Sequence, residues 1–167
     1  VINSASNIAV FFGAAAGLGL VISIFNGAGR TITGVVMDIA GRSRGMMAVN
    51  LCLIIGAVLL LGANATGNLV MITAGMLIVG VCYGGGVTIS AKVISDLYGP
   101  EHYAVNFSLS NFCSIPAAFI GPYISGILQD RSGGTYGSTF VMLLCLSGVA
   151  LIALAVLELI IKREKKI

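Results

Sequence analysis

Long stretches without any charged side chain constrain this sequence more than any other feature. No Asp, Glu, Lys or Arg occurs in residues 1–29, 45–91, 103–129 or 132–157. Charged residues make up 9% of the 167 residues, whereas a soluble globular domain carries roughly 25%. So few charges cannot cover a water-facing surface, which argues against a soluble enzyme, a disordered chain or a nucleic-acid-binding protein. The mean hydropathy of +1.05 instead favours a protein whose solvent is lipid.

The apolar stretches are long enough for five membrane-spanning helices. A spanning helix needs about 20 mostly apolar residues, so the 45–91 stretch holds two, separated by a polar, glycine-rich turn at 62–68. Runs such as 51–61 do not alternate apolar and polar residues as barrel strands do. We therefore predict an all-α integral membrane protein. Its predicted spans are residues 8–36, 46–61, 69–94, 104–128 and 139–161, followed by a tail at 162–167.

Basic residues concentrate on one predicted side of the membrane. That side holds Arg30, Arg42, Arg44, Lys92, Lys162, Arg163, Lys165 and Lys166. The other side holds Arg131. Basic loops stay in the cytoplasm, so we expect a multi-pass protein of the cell membrane with its Ile167 end in the cytoplasm. This bias also explains the net charge of +3 without a nucleic-acid partner. Lys92 and Glu158 lie near cytoplasmic span ends, where snorkelling accounts for them.

Two features indicate that the chain is part of a longer membrane protein. It begins at Val1 rather than at a methionine, and its number of predicted spans is odd. Residues 1–7 are typical of a loop entering the first span, and not of a signal peptide. We expect the chain to be the C-terminal part of that protein.

The segment 26–44 carries the most specific pattern. Its glycines allow the end of the first span to approach a neighbouring helix closely; they are Gly27, Gly29 and Gly34. Gly41 supplies the backbone freedom of a tight turn. Asp38 is predicted to end the helix, and its carboxylate beside arginines can close one side of a helix bundle. A short hairpin with ordinary cytoplasmic arginines is the alternative interpretation of this spacing.

The pattern Gly34-x-x-x-Asp38-x-x-Gly41-Arg42-x-Arg44 resembles the signature loop of the major facilitator superfamily. The similar copy in that family joins the second and third helices of the C-terminal half. This sequence departs from the family pattern at Ile39 and Ser43, where the family often has a basic residue. The resemblance implies a cytoplasmic gating motif that consists of Arg30, Gly34, Asp38, Gly41 and Arg42.

A second stretch, 121–136, is similar to the end of helix eleven and the following loop in the same superfamily. Pro122 is predicted to kink the fourth span, and Asp130 and the glycines after it to form an external turn. Together with Tyr83-Gly-Gly-Gly86, the sequence resembles the oxalate/formate antiporter and monocarboxylate porter branches. The resemblance covers essentially the whole chain as helices eight to twelve of twelve. It implies that five helices form most of the C-terminal six-helix bundle, completed by a missing N-terminal half of the same transporter.

The resemblance implies a secondary active transporter that moves a small solute by alternating access, with a cavity near the bilayer midplane. The first, third and fourth spans would line that cavity. Their candidate solute contacts are Asn26, Tyr83, Asn111 and Ser114. Hydrogen bonding between helices is the alternative role of the larger polar groups, and helix packing that of the serines.

The lack of basic residues in the middle of the first and fourth predicted spans limits the choice of solute. Oxalate-transporting relatives place basic residues in the spans corresponding to the first and fourth, and this sequence has none there. A monocarboxylate or other small organic anion, a neutral solute, and charge supplied by the missing half all stay open.

Other functions find less support in the sequence. It contains no cluster of His, Asp and Glu, no Gly-x-Ser-x-Gly and no metal-ligand spacing, so we expect neither an enzyme nor a metal or cofactor. His102 is typical of a solvated loop residue. The cysteines fall singly in different spans, as apolar filler does; they are Cys52, Cys82, Cys113 and Cys145. The alternative function is that of a channel-like or structural polytopic membrane protein without transport activity.

Overall fold

A computed structural model describes residue 8 and residues 18–164 of the chain, and these residues form four helices without a strand. The helices are α1 (Leu18–Ala40), α2 (Arg42–Thr66), α3 (Leu69–Arg131) and α4 (Gly137–Glu164). The start of the first predicted span, the loop 1–7 and the last three residues of the tail lie outside the described residues. Each of the four helices is long and apolar enough to cross a membrane, so the fold is that of an all-α membrane protein.

The 63-residue α3 is two helical limbs joined at Gly99. Gly99 has φ 69° and ψ 176° within an otherwise helical run, because the following Pro100 disfavours the helical conformation of the residue before it. Two adjacent residues of α2 meet the two ends of α3. Gly62 lies against Met71 near the start of the first limb, and Leu61 shares a groove with Leu128 near the end of the second limb. The chain therefore reverses direction at Gly99, with a first limb over residues 69–98 and a second limb over 100–131.

Pro122, by contrast, lies inside the second limb, where we expected a kink. The non-helical dihedral angles of α3 are those of Gly99, so the break in the helix stands at the Gly-Pro step and not at Pro122. The same step begins five residues after the predicted end of the third span. Proline removes one helical hydrogen bond. The chain reverses direction where the residue before the proline is also a glycine that can adopt a positive φ.

The connections between helices are short and use glycine where the backbone requires it. Gly41 alone separates α1 from α2, with φ 85°. α2 ends at Gly67, which adopts the left-handed conformation, and the Asn68 side chain then caps α3 by accepting from the backbone N–H of Val70 at 2.9 Å.

Two predicted boundaries differ from the observed ones. The turn predicted over 62–68 shortens to residues 67–68, because the segment before it stays helical and the Thr66 hydroxyl donates to the Gly62 carbonyl at 2.9 Å. Asp38 does not end α1, which continues to Ala40. Helices therefore extend past the apolar segments, since polar residues near a helix end still complete the backbone hydrogen bonds.

The helices form a bundle in which α1 and the first limb of α3 run parallel. Ile22 near the start of α1 contacts Gly80 in the middle of the first limb, and Asp38 near the end of α1 contacts Lys92 near the end of that limb. α2 runs antiparallel to the first limb, with Gly56 against Val79. α4 packs antiparallel on α2, and the second limb meets α4 close to its end.

A buried amide links α2 to α4 in this bundle. The Nδ2 of Asn50 donates to the Ser147 carbonyl at 3.1 Å, in a buried position. The Ser147 hydroxyl in turn donates to the Leu144 carbonyl at 2.9 Å. An interhelical hydrogen bond of this kind stabilises the association of two membrane helices.

The core is small for a chain of this length, and most apolar side chains lie on the surface. Phe140, Leu60, Ile72 and Met76 are at most 1% exposed. Large apolar side chains are exposed along every helix, for example Leu20 at 74% on α1. Lipid tails are as apolar as these side chains, so a membrane bundle carries such a surface without cost.

Candidate functional site

The closest approach in the bundle occurs where α1 crosses the first limb of α3. A methyl group added at Gly29 would overlap the Val81 carbonyl, and one added at Gly84 would overlap the Asn26 carbonyl. Both glycines are buried. Helix backbones come this near only where a residue without a Cβ stands between them. The glycines Gly29 and Gly84 thus define a seam, which we call the α1–α3 seam.

Hydroxyl groups line the seam beyond these glycines. Thr33 is 2% exposed, and its side chain lies against Gly85. Thr88 is one turn further along, and its Oγ1 donates to the Arg30 carbonyl at 3.2 Å. The two helices are therefore joined by backbone contact and by a side-chain hydrogen bond at successive levels.

An ion pair stands at the end of the α1–α3 seam. The Nζ of Lys92 lies 3.1 Å from Oδ1 of Asp38, and the two side chains are 42% and 67% exposed. A pair with this exposure contributes little to stability in water, because solvent and salt screen the two charges. Its energy therefore depends on how much of it is covered by other parts of the protein or by lipid.

Lys92 is a residue of the candidate site that the sequence did not identify. We expected arginines beside Asp38 and gave Lys92 only a snorkelling role, whereas Lys92 is the ion-pair partner of Asp38 among the described residues. The signal was present in the positive-inside pattern, which places both residues at the same end of the bundle. The pattern does not reveal that α1 packs parallel to the first limb of α3, and this packing brings Asp38 and Lys92 together.

Among the described residues, no other member of the predicted gating motif forms an ion pair with the Asp38 carboxylate. Arg30 is exposed, and its described contact with α3 is through its backbone carbonyl. A methyl group at Gly34 would reach the Thr88 methyl at an ordinary 3.8 Å. Gly41 has open space around it, but its φ is positive, so a residue with a side chain would strain the backbone there. Arg42 begins α2 and is partly buried.

The predicted solute contacts fall into two separate groups. Asn26 is partly buried on α1, with its backbone against Gly84, and Tyr83 is the residue before that glycine and is 57% exposed. Asn111 and Ser114 are exposed on the second limb. The Ser114 hydroxyl lies 3.5 Å from the Ser110 carbonyl of its own helix. Within the described part of the chain, no side-chain hydrogen bond joins the two groups.

The polar group of the second limb belongs to a continuous helical face. Residues 110, 111, 114, 118, 121 and 125 fall within one side of a helix with 3.6 residues per turn, and all are polar or small. The opposite side carries Phe112, Phe119 and Tyr123, each more than 70% exposed. The second limb is thus amphipathic, with one face suited to a polar cavity and one suited to lipid.

The chemistry available among the described residues is that of hydrogen bonding and charge pairing. They contain no group of three His, Cys, Asp or Glu side chains that could hold a metal ion. Cys52, Cys82 and Cys145 are free thiols. The side chain of Cys113 is outside the description.

Comparison with known proteins gives one match. A family model described as Major Facilitator Superfamily matches residues 2–166. Searches against curated proteins and against solved structures each gave no match.

Proposed function

Because the chain belongs to the Major Facilitator Superfamily, we propose that it forms most of the C-terminal half of a secondary active transporter that moves a small solute by alternating access. Members of this superfamily are membrane transporters and generally not enzymes. The partners that follow are the lipid bilayer, a small solute and the N-terminal half of the same protein. The proposed orientation places the Asp38 end of the bundle in the cytoplasm.

One observation carries the proposal: α1 and the first limb of α3 form a parallel pair in backbone contact, with the Asp38–Lys92 ion pair at its end. Alternating access needs helices that move together and a contact at one end that favours one state. The α1–α3 seam supplies the first property. The exposed ion pair supplies the contact that favours one state, because its stability changes when its surroundings open or close.

The proposed solute is a monocarboxylate or another small organic anion. Asn26 and Tyr83 supply an amide and a phenol beside the seam, and Asn111 and Ser114 supply an amide and a hydroxyl from the second limb. These groups donate hydrogen bonds to a carboxylate without adding positive charge. The absence of charged residues from 103–129 agrees with a monoanion or with a counter-charge from the N-terminal half.

Transport by the full-length protein tests the proposal. We expect proteoliposomes to take up a labelled monocarboxylate faster than oxalate. Asp38→Asn should lower that uptake at least about tenfold at equal protein content, because it removes the charge that holds the end of the seam closed. Asp130→Asn is the matched control, since Asp130 is an exposed carboxylate at the opposite end of the bundle.

Three results would contradict the proposal in different ways. Unaltered uptake by Asp38→Asn would remove Asp38 from the gate. Equal loss in Asp130→Asn would show a general effect of surface charge. A conductance far above transporter turnover, or no flux for any solute, would favour the channel-like or structural alternative.

A further inference from the structure

A groove opens at the surface of the bundle between α2, the second limb of α3 and α4. Its volume is about 550 Å³, and it is lined by Leu61, Leu128, Gly137, Ser138, Val141 and Met142. Val141 is 45% exposed, so the groove is accessible from outside. Water gains few hydrogen bonds in such a lining, and inside a bilayer an apolar groove is filled by hydrocarbon.

The end of the groove lies at the end of a helix. Ser132 caps α3, and its hydroxyl donates to the Leu128 carbonyl at 2.6 Å. The same hydroxyl lies 2.6 Å from that of Ser138 at the start of α4. These contacts hold the two helix ends together beside the groove. The turn after Arg131, with positive φ at Gly133 and Gly134, connects α3 to α4 at this end of the groove.

A basic residue, Arg131, lies one helical turn beyond the groove residue Leu128. Arg131 follows Leu128 by three positions, so the two share one face of the helix and Arg131 lies about one turn, some 5 Å, closer to the membrane surface. Arg131 is exposed and forms no ion pair with any residue that the structure describes. Asp130 is two positions from Leu128 and lies on the opposite face, away from the groove.

We propose that this groove and Arg131 form a binding site for an anionic phospholipid. One acyl chain lies along the apolar lining, and the phosphate of the headgroup pairs with the guanidinium of Arg131. Guanidinium binds phosphate with two parallel hydrogen bonds. The adjacent carboxylate, Asp130, lies on the side of the helix away from Leu128 and forms no described ion pair with Arg131, so the guanidinium is available to a lipid with net negative charge. The site requires only that the protein lies in a membrane and is independent of its transport activity.

Native mass spectrometry of the full-length protein, released from detergent micelles with added lipid, measures this site directly. We expect phosphatidylglycerol to be retained about tenfold more than phosphatidylcholine of the same chain length. Arg131→Gln should abolish that preference, and Arg131→Lys should keep most of it. Val141→Phe should fill the groove and lower retention of both lipids.

Val149→Phe is the matched control, because Val149 is an exposed valine on the same helix outside the groove lining. It should retain lipid as the unmodified protein does. Equal retention of the two lipids by the unmodified protein would overturn the role of Arg131. Unchanged retention in Val141→Phe, or the same loss in Val149→Phe, would overturn the groove as the site. Uptake of solute need not change in any of these variants.

Discussion

The Asp38–Lys92 ion pair joins two residues that are 54 positions apart in the chain. Asp38 stood out in the sequence because its glycine and arginine neighbours match a family pattern. Lys92 has no such neighbours, and only the packing of two helices identifies it. The exposure of both side chains means that the pair adds little to folding, so the role that we propose for it is to favour one conformational state.

Exchanging the two charges tests whether Lys92 acts through Asp38. We expect Asp38→Lys and Lys92→Asp each to lower uptake at least about fivefold, since each places two like charges at the end of the seam. The double variant restores opposite charges and should recover a large part of the uptake. The measurement is initial uptake by the full-length protein in proteoliposomes. If the double variant is no more active than the single ones, the ion pair has no functional role.

The α1–α3 seam makes a second prediction at single positions. Gly84→Ala places a methyl group on the Asn26 carbonyl, so the helices must separate, and we expect the protein to lose about 1–3 kcal/mol of stability. Gly86→Ala is the control, because its methyl group meets nothing within 4 Å on the same limb. The thermal midpoint in detergent should fall for Gly84→Ala only. An equal midpoint in the two variants would contradict the close contact of the seam.

Helices α2 and α4 pack largely through apolar side chains. Asn50 is a polar exception, because its amide is buried and donates to a backbone carbonyl of α4. The sequence contained this asparagine in a predicted span but offered no way to tell which helix it meets. Hydrogen bonds between membrane helices average about 0.6 kcal/mol and reach about 1.7 kcal/mol.

Replacing that amide tests how α2 and α4 are held. We expect Asn50→Leu to destabilise the protein by about 0.5–2 kcal/mol, since the Ser147 carbonyl loses its partner across the helix interface. Asn106→Leu is the control, because the Asn106 amide donates to His102 within its own helix. Thermal unfolding in detergent should separate the two variants. Equal losses would mean that the contact between α2 and α4 contributes nothing beyond a local hydrogen bond.

Features of the helical arrangement that depend on neighbouring residues were predictable from the sequence, whereas contacts between distant residues were not. The all-α membrane fold followed from apolar length alone. The reversal after the third predicted span is local, since Gly99 and Pro100 are adjacent, and the sequence placed it in a loop. The extension of α2 through Thr66 was missed because composition marks polar residues as a turn, whereas the backbone stays helical until Gly67. Contacts between helices, such as Asn50 with Ser147, depend on packing that no local pattern contains.

The whole bundle leaves its second limb of α3 exposed on two chemically different faces. The apolar face is suited to lipid and needs no further partner. The face with Asn111 and Ser114 is polar, and polar side chains at membrane depth are costly unless they meet water or another polar group. The proposed transporter resolves this cost, because a water-filled cavity between its two halves covers the polar face.

Thiol labelling of the full-length protein distinguishes these two faces. In a variant without native cysteines, we expect Asn111→Cys to react with a charged, membrane-impermeant thiol reagent and the transported solute to slow that reaction. Phe112→Cys is the matched control, because the next residue lies about 100° around the helix on the apolar face, where a thiol in hydrocarbon does not ionise. Equal labelling at both positions would place the limb in water on both sides. Labelling at 112 alone would reverse the assignment of the faces, and the polar residues would then serve contacts between helices.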